Sequence, residues 1–513
     1  MNLLKTLFAV SSMTLVSRVT GFVRDILTAQ VFGAGVFMDA FIVASRIPNL
    51  LRRMFAEGAF SQAFVPVLAE YNSKFGHEAT RKLIDKVATT LGIALFLVTV
   101  IGIIAAPLLI YASAAGFAAA PDKFDLTVQM LRICFPYIFF ISLVSLASGV
   151  LNTHGQMTGP AFTPVFLNLS YIGFTLWAAP YFEPPILALA WAVFVGGLLQ
   201  LFFQIPFLLR IKCLPRWDFD YKHEGVKRVL LLMGPAVLGV SVTQISLVIN
   251  TQYQSFMEAG SISWLYFADR LMEFPSALLG VALGTILLPG LARRFAENNI
   301  SEYSKLLDWG LRLTFLLALP AALGLALLAV PMVATLFHGD QFTTLAVFRT
   351  REALVAYSLG LTGIILVKII APGFYAQQNV KTPVRIALFS LFAIQLMNVL
   401  FLFWPLKLGH VGLALSVGLG ACLNAALLFY GIRKQGIYRP EPQWLAFFLK
   451  LGVALYLMGG TLWLTMGSAE QWIAMAKWTR WGYLLGLITL GATVYFAALW
   501  GMGVRARDFK KHT

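Results

Sequence analysis

Val87–Ala112, VATTLGIALFLVTVIGIIAAPLLIYA, carries no charged side chain. A helix rises 1.5 Å per residue and the hydrocarbon core of a bilayer is about 30 Å thick, so about 20 apolar residues cross it. This stretch is long enough to span. Working outward from it, apolar segments of similar length recur between turn and charge signals, at 7–30, 36–62, 128–152, 160–180, 185–209, 227–256, 262–290, 306–336, 350–375, 384–405, 410–432, 444–466 and 480–503. The chain as a whole agrees: of 513 residues 59% are hydrophobic and 12% charged, where soluble domains carry about 25% charged residues. The expectation is an all-α polytopic membrane protein with about fourteen transmembrane helices.

The net charge of +16 would raise nucleic acid as a partner for a soluble protein. Here its distribution gives another reason. Loops on the side of the termini hold 23 of the 39 Lys and Arg residues, the opposite loops hold six, and ten lie within spans. Basic residues accumulate on the cytoplasmic side of membrane proteins, so both termini are placed in the cytoplasm and no nucleic-acid partner is expected. Met1–Val16 resembles a signal peptide in its single Lys5 and apolar run, but no small-x-small cleavage site follows it. It reads as a retained first helix.

The chain repeats itself weakly. Ala44-Ser45-Arg46 returns as Ala268-Asp269-Arg270, an offset of 224, and Pro66-Val67-Leu68-Ala69 as Pro289-Gly290-Leu291-Ala292, an offset of 223. Gly149 with Pro160 returns as Gly373 with Pro383. The offset covers six spans, so both copies run in the same direction, as in transporters with parallel repeats. The expected organisation is a first lobe over 1–211, a cytoplasmic linker over 212–226, a second lobe over 227–434, and two further spans with a cytoplasmic tail over 435–513. The lobes are expected to be pseudo-symmetric six-helix units.

The first two spans hold charges that hydrocarbon excludes: Arg18, Arg24, Arg46, Arg52 and Arg53, against Asp25, Asp39 and Glu57. Each costs about 2.5–3.5 kcal/mol at a span centre and survives where it faces protein or a wet cavity. Asp39, Arg46 and Arg53 follow at seven-residue steps on one helical stripe, with Glu57 four residues beyond Arg53 and Pro48 interrupting the helix. Arg18 and Asp25 share a face. The second lobe carries Asp269, Arg270 and Glu273 before Pro275, Gly280-x-x-x-Gly284 for close helix contact, and Lys368 in mid-span. Guanidinium forks grip phosphate oxygens in pairs, so the basic excess suits an anionic substrate such as a pyrophosphate. Other readings stand beside this one. Arg52 and Arg53 can snorkel to headgroups. Arg46 with Asp39, and Arg270 with Glu273, can be structural ion pairs. Lys368 divides between a cavity charge and a coupling site. Trp177, Tyr181, Trp404 and Trp472 read as interfacial anchors.

Cys134, Cys213, Cys422 and the six histidines show no metal-site or disulfide spacing, so no metal and no cofactor is expected. There is no Gly-x-x-x-x-Gly-Lys-Ser/Thr loop, which leaves a gradient, the membrane potential or downhill consumption of the substrate as the energy source.

Several blocks resemble one family. Ser17-Arg18, Gly21-Phe22-Val23-Arg24-Asp25, Phe32-Gly33-Ala34-Gly35 and Asp39-Ala40-Phe41 are similar to the MurJ (MviN) lipid II flippases, as are Pro48-Asn49-Leu50-Leu51-Arg52-Arg53, Glu57 through Pro66, and Ala268 through Pro275. The resemblance runs essentially end to end. It implies the multidrug/oligosaccharidyl-lipid/polysaccharide exporter fold, with two lobes in a V around a cationic cavity and a groove for the polyprenyl tail on the last two helices. It implies a transporter rather than an enzyme, one that carries lipid II across the bacterial inner membrane by alternating access for peptidoglycan synthesis. Arg18, Arg24, Asp39, Arg52 and Arg270 are then the substrate-site positions, with Asp25, Arg46, Arg53, Glu57, Asp269, Glu273 and Lys368 in support. Partners would be lipid II, membrane lipids and cell-wall synthesis proteins. Three rivals remain: a flippase for another undecaprenyl-pyrophosphate glycan of O-antigen type, a multidrug cation exporter, and a non-transporting cell-wall scaffold. The exporter predicts an acidic cavity, and the first lobe is basic.

Overall fold

The structure, a computed structural model, describes residues 3–54, 60–220, 222–403 and 407–505. These are overwhelmingly helical, with no strand among the described residues. The chain is an all-α, multi-pass membrane protein. It divides into two compact units, Met1–Ser263 and Trp264–Thr513.

In the first unit α1 (Leu3–Phe32) and α2 (Val36–Leu51) are followed by α3 (Ser61–Lys74), α4 (Gly76–Ile104) and α5 (Ala106–Ser113). Then come α6 (Pro121–Cys134), α7 (Tyr137–Thr153), α8 (Thr158–Phe162), α9 (Pro164–Gly173), α10 (Leu187–Arg210) and α11 (Glu224–Ser255). Several breaks fall at proline, which cannot donate to the preceding turn: Pro107 opens α5, Pro136 precedes α7 and Pro164 begins α9. α10 packs closely on α9 and α7 because Gly196 and Gly197 face them. A Cβ at Gly196 would lie 2.6 Å from Leu167, and one at Gly197 2.8 Å from Tyr137.

α12 (Ser261–Ala296) crosses the division between the units. The second unit continues with α13 (Ile300–Leu327), α14 (Ala329–Leu336), α15 (Thr344–Tyr375), α16 (Lys381–Leu402), α17 (Gly409–Lys434), α18 (Trp444–Thr465), α19 (Ala469–Ala474) and α20 (Lys477–Gly501). Its tightest approach is between α15 and α17. There Gly360 lies against Gly418, and Gly363 against the backbone and Sγ of Cys422.

A helix or helix pair stands at each of the fourteen expected spans. Among the described residues, ten are long and apolar enough to cross a membrane. α2, at 16 residues, is too short to be one of them. The helices also start in register with the sequence repeat: Val36 with Ser261, Gly76 with Ile300, Pro121 with Thr344, Thr158 with Lys381, Leu187 with Gly409. The segment expected as a linker packs within the first unit. The amides of Arg216 and Asp218 donate to Asp85 at 2.8 Å and to Thr89 at 3.0 Å, and Lys86 pairs with Asp220 at 2.7 Å. Trp177 and Tyr181 are exposed, as interfacial anchors should be, whereas Trp472 is not: it is buried, donates to the Met466 carbonyl at 2.6 Å and stacks on Tyr483. Trp404 lies outside the described residues.

Candidate functional site

The charges of the first unit are held by polar frames built into apolar helices. On α1, Arg24 gives Nε and Nη2 to one oxygen of Asp25, at 2.9 and 2.7 Å. Its Nη1 donates to Asn168 Oδ1 on α9 at 3.0 Å, and its guanidinium lies 5.0 Å from the centre of the Tyr171 ring. Asn168 in turn donates to the Ser17 carbonyl at 3.0 Å and to Thr20 Oγ1 at 3.3 Å. The fork is therefore fixed in direction, and Asp25 is engaged by its chain neighbour. Arg18 is exposed on the same helix.

Asp39 is almost fully enclosed, with 1% exposure. Oδ2 accepts from the Gly260 amide at 2.7 Å and from Lys123 Nζ at 3.3 Å, while Oδ1 accepts from the amide and hydroxyl of Ser263 at 2.9 and 2.6 Å. Lys123 also sits 3.9 Å from the centre of the Phe117 ring. The ion pair of Asp39 is thus with Lys123, not with Arg46. Arg46 reaches α11 instead, where Nη1 donates to Thr251 Oγ1 at 2.8 Å and Gln254 Oε1 at 2.7 Å. Further along α2, Pro48 is buried, Arg52 donates Nε to Asn49 Oδ1 at 2.9 Å, and Arg53 is exposed. Glu57, expected beside Arg53, lies outside the described residues.

In the second unit Arg270 pairs with Glu273 at 2.8 Å and lies 4.9 Å from the centre of the Tyr266 ring. Asp269 and Glu273 are exposed. Lys368 comes from α15 and donates to the carbonyl and hydroxyl of Ser276, at 3.2 and 3.1 Å. It fills the space that Gly280 leaves open, since a Cβ there would lie 2.4 Å from Lys368 Cδ. Gly280 and Gly284 therefore do serve close contact, against Lys368 of α15.

Sequence reasoning missed the neutral members of these frames: Asn168, Tyr171, Thr251, Gln254 and Ser276. A single polar residue in an apolar span has no pattern to mark it. Lys123 is visible only as a loop charge. Asp308 was also missed. It accepts from Tyr438, Trp444, the Glu441 amide and Arg312, and so ties α13 to the segment before α18.

The family model described as lipid II flippase MurJ matches residues 28–480. A lipid II flippase MurJ of Burkholderia cenocepacia is 50% identical, with 100% of this chain and 99% of that protein aligned. A probable lipid II flippase MurJ of Vibrio cholerae is 42% identical over 100% of this chain and 98% of that protein. A solved structure of lipid II flippase MurJ in an inward closed conformation superimposes with a TM-score of 0.81, at 26% identity, over 98% of this chain and 99% of that one. An inward-facing MATE multidrug transporter of the MOP superfamily shares the fold alone, with a TM-score of 0.65 at 14% identity over 83% of this chain and 97% of that one. The fold, shared over nearly the whole chain with a lipid II flippase, and the cationic frames on its helices together define a multi-pass membrane transporter. Within that class the chain belongs to the lipid II flippase MurJ family.

Proposed function

We propose that this protein translocates lipid II, the undecaprenyl-pyrophosphate-linked peptidoglycan precursor, from the cytoplasmic to the periplasmic leaflet of the bacterial inner membrane. It does so by alternating access, with both termini in the cytoplasm and with the repeat copies 1–211 and 227–434 as the moving lobes. The observation that carries the reading is the Arg24 frame: a guanidinium on the first helix, aimed by Asp25, Asn168 and Tyr171. A cation fixed in low-dielectric surroundings binds phosphate far better than one in water. Arg18 and Arg52 on the first two helices and Arg270 in the second unit add further contacts to the pyrophosphate. Asp39 acts by holding Lys123 and the start of α12. Asp25, Arg46, Arg53, Glu57, Asp269, Glu273 and Lys368 orient these cations. The last two spans accept the polyprenyl tail, and cell-wall synthesis proteins are the partners that consume the product.

The test is leaflet accessibility in proteoliposomes, comparing lipid II with an O-antigen-type lipid on the same undecaprenyl pyrophosphate. Movement of lipid II alone is expected and places selectivity in the sugar and peptide. Movement of both reduces the assignment to a general pyrophosphate-lipid carrier. Movement of neither, with folded protein and an imposed potential, favours the scaffold reading.

A further inference from the structure

Three metal-binding side chains that are remote in the chain meet at one end of the first unit. His77 stands in the first turn of α4, His154 follows the last residue of α7, and Cys213 follows α10 after Lys212. Lys212 has φ of +57°, which turns the chain back so that the Cys213 amide reaches the Leu208 carbonyl at 3.0 Å. All three lie in loops that the charge count assigns to the side of the termini. One ligand atom from each falls within 4.8 Å of the others, and no other group of three among the described residues does so. Cys213 Sγ is 3.9 Å from His154 Nε2, and the two imidazole rings meet edge to face at 87°.

The tautomer of His154 favours a ligand. Its Nδ1 lies 2.9 Å from the Val150 carbonyl. A carbonyl can only accept, so Nδ1 carries the proton and Nε2 turns its lone pair toward Cys213. A backbone carbonyl orienting the far ring nitrogen is the usual outer-shell arrangement of a metal-bound histidine. Beneath the cluster, Leu83 and Ile84 of α4, Val150 and Leu151 of α7 and Leu208 of α10 share one buried core with Cys213. The ligands therefore project from a packed base, and exposed His77 is the one that can adjust.

We propose that His77, His154 and Cys213 bind Zn²⁺, with the fourth tetrahedral position left to water or an exogenous ligand. Two imidazoles and a thiolate select zinc over the oxygen-seeking Mg²⁺ and Ca²⁺. Zn–N bonds of about 2.0–2.1 Å and a Zn–S bond of about 2.3 Å require ligand separations of about 3.3–3.6 Å. Cys213 Sγ and His154 Nε2 lie 3.9 Å apart and His77 within 4.8 Å of both, so both contacts tighten when the ion binds. The bound ion staples the start of α4 to the ends of α7 and α10 and stabilises that end of the first unit. The site is independent of what the protein transports.

Tag-free, full-length protein in detergent, stripped with a chelator, would be titrated with Co²⁺ and then Zn²⁺. One equivalent of Co²⁺ should produce thiolate-to-metal charge-transfer absorption, which Zn²⁺ then abolishes, and Zn²⁺ should raise the thermal unfolding midpoint. Cys213→Ser should remove the absorption. His77→Ala, at an exposed position, should weaken Zn²⁺ binding by at least about tenfold and reduce the thermal shift. If Cys213→Ser does not fold, His77→Ala decides. Co²⁺ binding without thiolate absorption in the unaltered protein, or equal Zn²⁺ affinity in His77→Ala, would overturn the proposal.

Discussion

At Arg24 the frame and the function can be separated. Arg24→Ala leaves Asp25 and Asn168 on their helices but removes the fork. A charge-assisted contact is worth about 1.5–3 kcal/mol, so lipid II translocation in proteoliposomes should fall about 10- to 100-fold. The variant should still reach the membrane fraction. Arg24→Lys should recover only part, because an ammonium is a point charge and cannot hold two oxygens in one plane. Normal transport by a folded Arg24→Ala protein would sink the pyrophosphate contact. Asp39 predicts a stability effect instead. In Asp39→Asn the amide NH₂ must replace either Oδ2, where Gly260 and Lys123 donate, or Oδ1, where Ser263 donates. Either way a donor meets a donor and Lys123 loses its countercharge. Breaking such a buried pair costs about 3–5 kcal/mol, measurable as a lower unfolding midpoint in detergent. Adding Lys123→Met should restore part of it. The need for partners at Arg24 and Asp39 was legible in the sequence, since lone charges stand out against apolar neighbours. Their identity was not: Lys123 is 84 residues from Asp39, and Thr251 is 205 from Arg46.

Helix packing sets apart glycines that look alike in the sequence. A methyl group at Gly360 would lie 2.1 Å from the Gly418 Cα, which is backbone and cannot yield unless α15 and α17 separate. Gly360→Ala should therefore destabilise by at least about 1–3 kcal/mol. Gly280→Ala meets the Lys368 side chain, a movable neighbour, most closely at Cδ, 2.4 Å away. It should lower the unfolding midpoint less than Gly360→Ala while displacing Lys368 from Ser276, and the two midpoints measured side by side check this. The linker makes a different prediction. The hydrogen bond from Lys86 holds the Asp220 carboxyl below its ordinary 3.8. Hydrogen bonds from Lys74, first, and Arg228 hold Glu70 below its ordinary 4.5. A carboxyl lowered by folding stabilises fully above its unfolded value, and the contribution disappears as the pH falls through the lowered one. Protease resistance of residues 211–223 should hold from pH 7 to about 5 and decline only below about 4, if these pairs anchor the segment. Resistance that declines near pH 6 would rule the carboxylates out as its cause.

For the molecule as a whole, the charge count makes a topological prediction. Arg505→Cys should react with a membrane-impermeant thiol reagent only after the cells are opened, and Lys477→Cys from outside in intact spheroplasts. The reverse pattern would invert the protein. Element type and the places of the helices along the chain were legible in the sequence alone. Lipid selects spans by hydropathy and loops by charge, and both are local properties of the chain, indifferent to what packs against them. What only the tertiary structure decided is which group answers each charge. It gave Asp39 to Lys123 and Arg46 to α11, turned Trp472 inward, and gathered His77, His154 and Cys213 from three helix ends. The physical reason is reach: a hydrogen bond or metal bond acts over about 2–3 Å, and only folding brings groups so far apart in the chain within that distance.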